Sequence, residues 1–215
     1  GVAYRALYQN TTGTLLASVG AYSLTANTTG IRNTAIGYES MSANTTGSHN
    51  TAVGTYALAT PTTGNESTAV GYYACKSATT GMRNVGVGVS ALTNATTGSS
   101  NVAVGAFTGD NLTTGGDNVA IGYAALNTAT TSTENVAIGR GSLAANTTGE
   151  KNVAVGSYAI ATGTTGDRNT AIGNYCMADA VVTGNQNTAV GDNALRELTS
   201  GTLNTGLGCQ ALYNN

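Results

Sequence analysis

The chain has 215 residues, a formal net charge of −2 and only 8% charged residues. That balance leaves no basic footprint for nucleic acid, and no run of about 18 apolar residues is present to cross a membrane. Trp is absent, Phe107 and Pro61 are the single Phe and Pro, and Gly, Ala, Thr and Asn dominate. Such a chain cannot fill a round core and is expected to stack small side chains in thin layers.

In chain order, one five-residue phrase, Asn-[Thr/Val]-Ala-[Val/Ile]-Gly, returns at residues 33–37, 50–54, 118–122, 152–156, 169–173 and 187–191. Its closing glycines fall at Gly20, Gly37, Gly54, Gly71, Gly88, Gly105, Gly122, Gly139, Gly156 and Gly173, a constant step of 17 residues. The step slips once to 18 at Gly191 and resumes at Gly208. A fixed short period marks a repeat architecture. The expected fold is all-β, a parallel β-solenoid (β-roll) of about twelve 17-residue coils in one domain spanning residues 1–215. At about 4.8 Å per coil it would be about 60 Å long. The extra residue, within residues 178–182, is expected as a bulge at a corner.

The phrase alternates, is rich in β-branched residues and ends in glycine, which predicts a short strand. Its fourth position holds Ile36, Val53, Val70, Val104, Ile121, Ile138, Val155, Ile172 and Val190. Bulk of this kind is expected inside the coil. The preceding column, Ala35, Ala52, Ala69, Ala103, Ala120, Ala137, Ala154, Ala171 and Ala189, is then expected on the opposite, outer face. A solvent-facing column would drift towards polar residues, so a uniformly small one suggests a candidate oligomer seam. The second position becomes valine for five coils (Val85, Val102, Val119, Val136, Val153), and strands buried on both faces read as near-continuous apolar runs.

A small-then-large pair follows, as in Ala57-Leu58, Ala125-Leu126 and Ala194-Leu195, and supplies the bulkiest filler. Next comes Asn-Thr-Thr-Gly, whose glycine is expected, like the strand-closing one, at a corner of positive φ. Ser132 replaces that glycine once and marks an irregular coil. Two residues later runs a mixed-sign column, Arg32, His49, Glu66, Arg83, Asp117, Glu134, Lys151 and Arg168, expected as a solvated edge. The column after it is Asn33, Asn50, Asn84, Asn101, Asn118, Asn135, Asn152, Asn169 and Asn187, expected as a ladder of side-chain amides bonded from coil to coil.

Motifs with chemistry are few. Cys75 and Cys176, six coils apart and so roughly 29 Å from each other, are too distant for a disulfide within a chain, and with Cys209 they are expected as small fillers without zinc spacing. Residues 86–91 and 206–211 match a G-x-G-x-x-A fingerprint, but only by an Ala-to-Gly change in the repeat and without a helix to open. His49 is the single histidine, which removes a Ser-His-Asp set and a histidine metal cluster. Asp110 and Asp117 are too isolated for a calcium-binding β-roll. Ten acidic residues scattered over the repeats do not form a glycosidase pair, so neither enzyme nor cofactor is expected. Adjacent threonines point to opposite sides, which favours a bonded corner ladder over an ice-binding array. Asn10, Asn27, Asn44, Asn65, Asn94, Asn111 and Asn146 fit N-x-[S/T] and are candidate glycosylation positions. Tyr38, Tyr56, Tyr72, Tyr73, Tyr123, Tyr158 and Tyr175 follow the strand-closing glycine; stacking on surface sugars and lining a groove between chains both fit them.

Gly1 opens mid-repeat without a leader, and residues 4–8 and 211–213 are ordinary coil phrases. Solitary solenoids need polar caps, so a segment of a longer fibre, or copies stacked end to end, is expected.

The phrase N-[TV]-A-[VI]-G-x-x-[AS], with N-T-T-G, resembles the head repeat of YadA-type trimeric autotransporter adhesins and repeats of phage tail fibres. The resemblance covers essentially the whole chain, although the coil here is longer than in those heads. It implies a left-handed roll, three chains side by side and small residues at the seam. The expected function is a non-catalytic fibre or adhesin segment at a cell surface or on a virion, partnered by itself as a homotrimer. A filament of end-to-end copies and a glycan- or ice-binding solenoid are the alternatives; nucleic acid and membrane insertion are not expected.

Overall fold

A computed structural model describes residues 1–179 and 181–214. It is a β-solenoid of about eleven turns. The strands are β1 (Ala17–Val19), β2 (Thr34–Ile36), β3 (Thr51–Val53), β4 (Thr68–Val70), β5 (Val85–Val87) and β6 (Val102–Val104). They continue as β7 (Val119–Ile121), β8 (Val136–Ile138), β9 (Val153–Val155), β10 (Thr170–Ile172), β11 (Thr188–Val190) and β12 (Thr205–Leu207). All twelve form one parallel sheet in chain order.

Register follows the repeat residue for residue: Thr34 pairs with Thr51, Ala35 with Ala52 and Ile36 with Val53. β10 and β11 keep that register across the 18-residue step, pairing Ala171 with Ala189. The extra residue is therefore absorbed in a corner. Thr162 Oγ1 still donates to Ala178 O at the usual 16-residue offset, whereas the Thr164 amide donates to Val182 O, one residue further than its counterparts. The shift falls where the sequence places it, but Ala180, at the expected bulge, lies outside the described residues.

Only three residues per coil are strand, yet the corners also bond from coil to coil. The Glu39 amide donates to Ala21 O of the preceding coil and the Met41 amide to Ala57 O of the next, each at 3.0 Å. Both residues have positive φ, 52° and 50°, and the column that includes His49 repeats this at 63°. Left-handed backbone costs a non-glycine residue about 1–2 kcal/mol. Here that cost is offset by aiming alternate amides at the coils above and below, which leaves few buried backbone groups orphaned.

The two corner glycines serve different needs. Gly37 closes its strand at φ 135°, a region that side-chain-bearing residues rarely adopt. Gly47, in the Asn-Thr-Thr-Gly corner, has no positive φ; a Cβ there would collide with Asn44 Oδ1 and with the carbonyl oxygen of Gly64 in the next coil. The expectation of positive φ at both corners is thus corrected: stacking distance, not dihedral, is what makes the second tight at Gly47.

The core reverses the expected faces of the strand. Ala35 is 0% exposed while its neighbour Ile36 is 41% exposed, and every strand repeats this pattern. The alanine column points inward, together with Leu24, Met41, Leu58, Leu92, Leu126, Leu143 and Leu195. Ala35, Ala52, Ala69, Ala103, Ala120, Ala137, Ala154, Ala171 and Ala189 therefore cannot form an oligomer seam. A coil this thin has little room between opposite walls, so small size is what inside selects for. Where the large filler is missing, at Gly109, Leu112 of the same coil is buried instead, keeping the layer dense.

Candidate functional site: an apolar face and its two margins

The inward and outward sets of the strand are linked by period two. Asn33 and Ala35 share the inside; Thr34 and Ile36 share the outside. The outer face of the sheet consequently carries two parallel columns, Thr or Val and then Val or Ile. Its middle is valine-rich: Val85 and Val87, Val102 and Val104, Val119 and Ile121, Val136 and Ile138, Val153 and Val155. All are half-buried or exposed. No outward strand position among the described residues carries a charge.

Inside, the asparagine column forms the continuous ladder that holds the sheet against its corner. The Asn135 amide donates to Asn118 Oδ1 at 3.0 Å, and Asn118 Nδ2 donates to the carbonyl of Ser132 at 2.9 Å. The same pair of bonds recurs at Asn33, Asn50, Asn84, Asn101, Asn152, Asn169 and Asn187. Ser67 takes one place in the column, accepting from the Asn84 amide at 3.2 Å. Ser132 keeps the backbone path of the glycine it replaces, but its buried hydroxyl has no partner.

One margin of the face is the mixed-sign column, and its members are exposed. Neighbouring members interact along the stack: Arg32 Nη1 lies 3.2 Å from His49 Nε2, and Lys151 Nζ lies 3.5 Å from Glu134. The other margin is aromatic. Tyr4, Tyr22, Tyr38, Tyr56 and Tyr73 touch in succession with centroids 5.2–6.1 Å apart, mostly edge to face, the geometry that aromatic quadrupoles favour. Cations interleave with the rings. Lys76 sits 4.4 Å from the Tyr73 ring, Arg140 bridges Tyr123 and Tyr158, and Arg196 bridges Tyr175 and Tyr213. Tyr72 lies beside Tyr73, and the Tyr158 and Tyr175 rings stack. The Glu39 carboxylate beside Tyr38 pushes that phenol up to about 12. Sequence reasoning found the ring positions but not the cations among them: Lys76 and Arg196 come from a later corner position, and Arg140 from a position that elsewhere holds a ring.

The threonine corner also resolves. Thr28, Thr45, Thr79, Thr96, Thr113 and Thr147 donate their hydroxyls to a threonine carbonyl of the next coil. Each neighbouring threonine points outward and is exposed, as at Thr29, Thr46 and Thr97. The outward hydroxyls thus form a single column rather than a two-dimensional array.

Three candidate glycosylation positions are corrected by burial. Asn27, Asn44 and Asn146 are 0–1% exposed, and each donates its Nδ2 to a corner glycine carbonyl. Asn10 is half-buried with the same bond to Gly13, and Asn65 is half-buried, accepting from the Ser48 amide. Asn94 and Asn111 are exposed. The cysteines divide likewise. Burial pushes Cys75 up to about 12 and Cys176 up to about 11, whereas Cys209 is exposed and so is not the core filler expected.

The fingerprint at residues 86–91 runs through strand β5 into a turn, and Gly86 leaves space for the buried Cys75 Sγ. Among the described residues there is no cavity, no cluster of metal-ligating side chains and no helix long and apolar enough to cross a membrane. No family model, curated protein or solved structure matches the chain.

Proposed function

We propose that this chain is a non-catalytic structural segment, a fibre shaft or adhesin head outside the cell or on a virion, that associates with copies of itself side by side. The observation that carries the reading is the outer sheet face: a Val/Ile column beside one that is valine from β5 to β9 and threonine at β2–β4 and β10–β12, half-buried or exposed, running the length of the stack without a charge. A contiguous exposed apolar surface of this extent marks an interaction site. A homotrimer, left-handed and parallel to a fibre axis, is the assembly that the resemblance supports, with its seam moved from the alanine column to the Thr/Val and Val/Ile columns. The valine block from Val85 to Val155 would form its dry centre.

The aromatic margin favours a second reading, in which rings at coil spacing stack against sugars of a surface polysaccharide. Tyr38, Tyr72 and Tyr123 keep 43–53% of their surface exposed. Glycan-array signal that disappears with Tyr72→Ala and Tyr73→Ala would favour that reading. For the fibre, light scattering and negative-stain images of one purified sample are decisive. A mass of three chains and short rods support the proposal; long single-file filaments would replace it by end-to-end assembly, and a monomer at all concentrations would overturn it.

A further inference from the structure

The aromatic margin changes character along the stack. In four successive coils Tyr72, Val89, Phe107 and Tyr123 lie exposed on it and form one strip. A cation closes each end. Lys76 Nζ lies 4.4 Å from the Tyr73 ring and 5.9 Å from the Tyr56 ring, and the Arg140 guanidinium lies 5.6 Å from Tyr123 and 5.8 Å from Tyr158. Arg140 holds the place in its coil that Tyr72 holds four coils earlier, so the strip is about 19 Å long. We propose that it binds an acidic, unbranched polysaccharide laid along the stack, with carboxylate or sulfate groups on Lys76 and Arg140. This rests on the sugar-stacking reading of the margin above and adds the chemical class of the sugar and its place.

Both cations keep their full charge. Among the described residues the ion pairs are Lys151 with Glu134 and Arg196 with Asp179, and neither Lys76 nor Arg140 joins one. A ring face attracts a cation without neutralising it, so the rings hold each charge in place and leave it uncompensated. An anion that reaches it gains charge-assisted hydrogen bonds. Arg196 shows the contrast: it too lies between two rings, but Asp179 already takes its guanidinium. Between Lys76 and Arg140 the exposed rings offer faces on which the C–H surface of a sugar ring packs. One carboxylate, Asp110, stands on this stretch of the margin and opposes the anion.

An acidic peptide suits the strip less well. An extended peptide binds through main-chain hydrogen bonds to an open edge, and this margin offers none. The amides of Ser90, Phe107, Ala124 and Gly141 donate to the carbonyls of Tyr72, Val89, Ala106 and Tyr123 in the preceding coils, at 2.9–3.0 Å. A sugar, which binds through ring faces, hydroxyls and its acidic groups, needs no such edge.

The test is titration calorimetry of the whole chain, made without glycosylation. The probes are oligogalacturonate, a heparin oligosaccharide, a neutral cello-oligosaccharide and polyglutamate, each long enough to span four coils. The proposal predicts that an acidic sugar binds at least about tenfold more tightly than the neutral one and that salt weakens it. Oligogalacturonate against heparin tells carboxylate from sulfate. Lys76→Gln and Arg140→Gln should each weaken binding about threefold to tenfold, and Asp110→Asn should tighten it. Arg32→Gln and Arg83→Gln, on the other margin, should change nothing. Equal affinity for the neutral sugar would overturn the acidic class while leaving the sugar-stacking reading standing. Polyglutamate bound as tightly as the acidic sugars, or equal losses at Arg32 and Arg83, would overturn it by showing a diffuse attraction for anions. No binding of any sugar would sink both.

Discussion

Asn44 donates its Nδ2 to Asn27 Oδ1 at 2.8 Å, continuing a buried amide stack that begins with Asn27 donating to Asn10. Its own Oδ1 is buried and reaches nothing. The next residue in that column is Pro61, which is buried and has no amide to offer. The stack therefore stops with an open acceptor.

Pro61→Asn should close it. The new Nδ2 would donate to Asn44 Oδ1, satisfying a group whose lone burial costs about 1–3 kcal/mol. Losing proline loosens the unfolded chain and costs about 0.4–1 kcal/mol. The net expectation is a stabilisation of roughly 1 kcal/mol, read as a higher denaturation midpoint by circular dichroism. An unchanged or lower midpoint would mean that the open acceptor is not costly.

The main asparagine ladder predicts an ordered series. Asn118→Ala removes the acceptor for the Asn135 amide and the donor to Ser132 O. With two buried backbone groups left bare, it should cost about 2–5 kcal/mol. Asn118→Ser should cost less, because Ser67 already serves as an acceptor in this column. Chemical denaturation of the three proteins checks the order; equal losses would contradict the ladder's role.

Thiol chemistry tests the inside of the stack. At about pH 8 a maleimide should modify Cys209 alone, with Cys75 and Cys176 reacting only on unfolding. Desolvation raises both buried thiols, to about 12 and about 11 against an ordinary value of 9.0. Raised folded-state values make their contribution to stability complete below about pH 9, after which it declines as pH climbs towards 11 and 12. Alkaline melts should show this decline, and Cys75→Ala should reduce it.

Glycan placement offers a check by mass spectrometry. If the chain is produced in a glycosylating host, folded material should carry no glycan at Asn27, Asn44 or Asn146, whose Nδ2 atoms are buried and bonded. Occupancy should concentrate at the exposed Asn94 and Asn111. A folded chain modified at Asn44 would contradict the corner geometry.

The repeat, the strands, the in-register sheet and both asparagine-bearing corners could be read from the 17-residue period, because each is a local pattern copied many times. The orientation of the strand could not be read from alternation alone. Three residues define which positions share a face, but not which face is inside. Two residues held the missing sign. Asn33 lies two positions before Ala35 and so shares its side, and an amide ladder is most useful where water is excluded. Gly86 replaces alanine where Cys75 needs room, and a seam open to an adjustable partner would not demand that. The left-handed residues of the corners, such as Met41 and His49, were invisible for a different reason. Their φ values follow from the direction of the next coil's carbonyls, not from their own side chains.

The outward face is the centre of the account, and the mass of the chain with that face altered tests it most directly. The variant combines Val102→Ser, Val104→Ser, Val119→Ser and Ile121→Ser, all at outward positions of β6 and β7. Sedimentation equilibrium of this variant beside the unaltered chain gives both masses under one set of conditions. The account predicts a multi-chain mass for the unaltered protein and a folded single chain, with the same circular dichroism, for the variant. A variant that keeps the multi-chain mass, or an unaltered chain that stays single at every concentration, would contradict it.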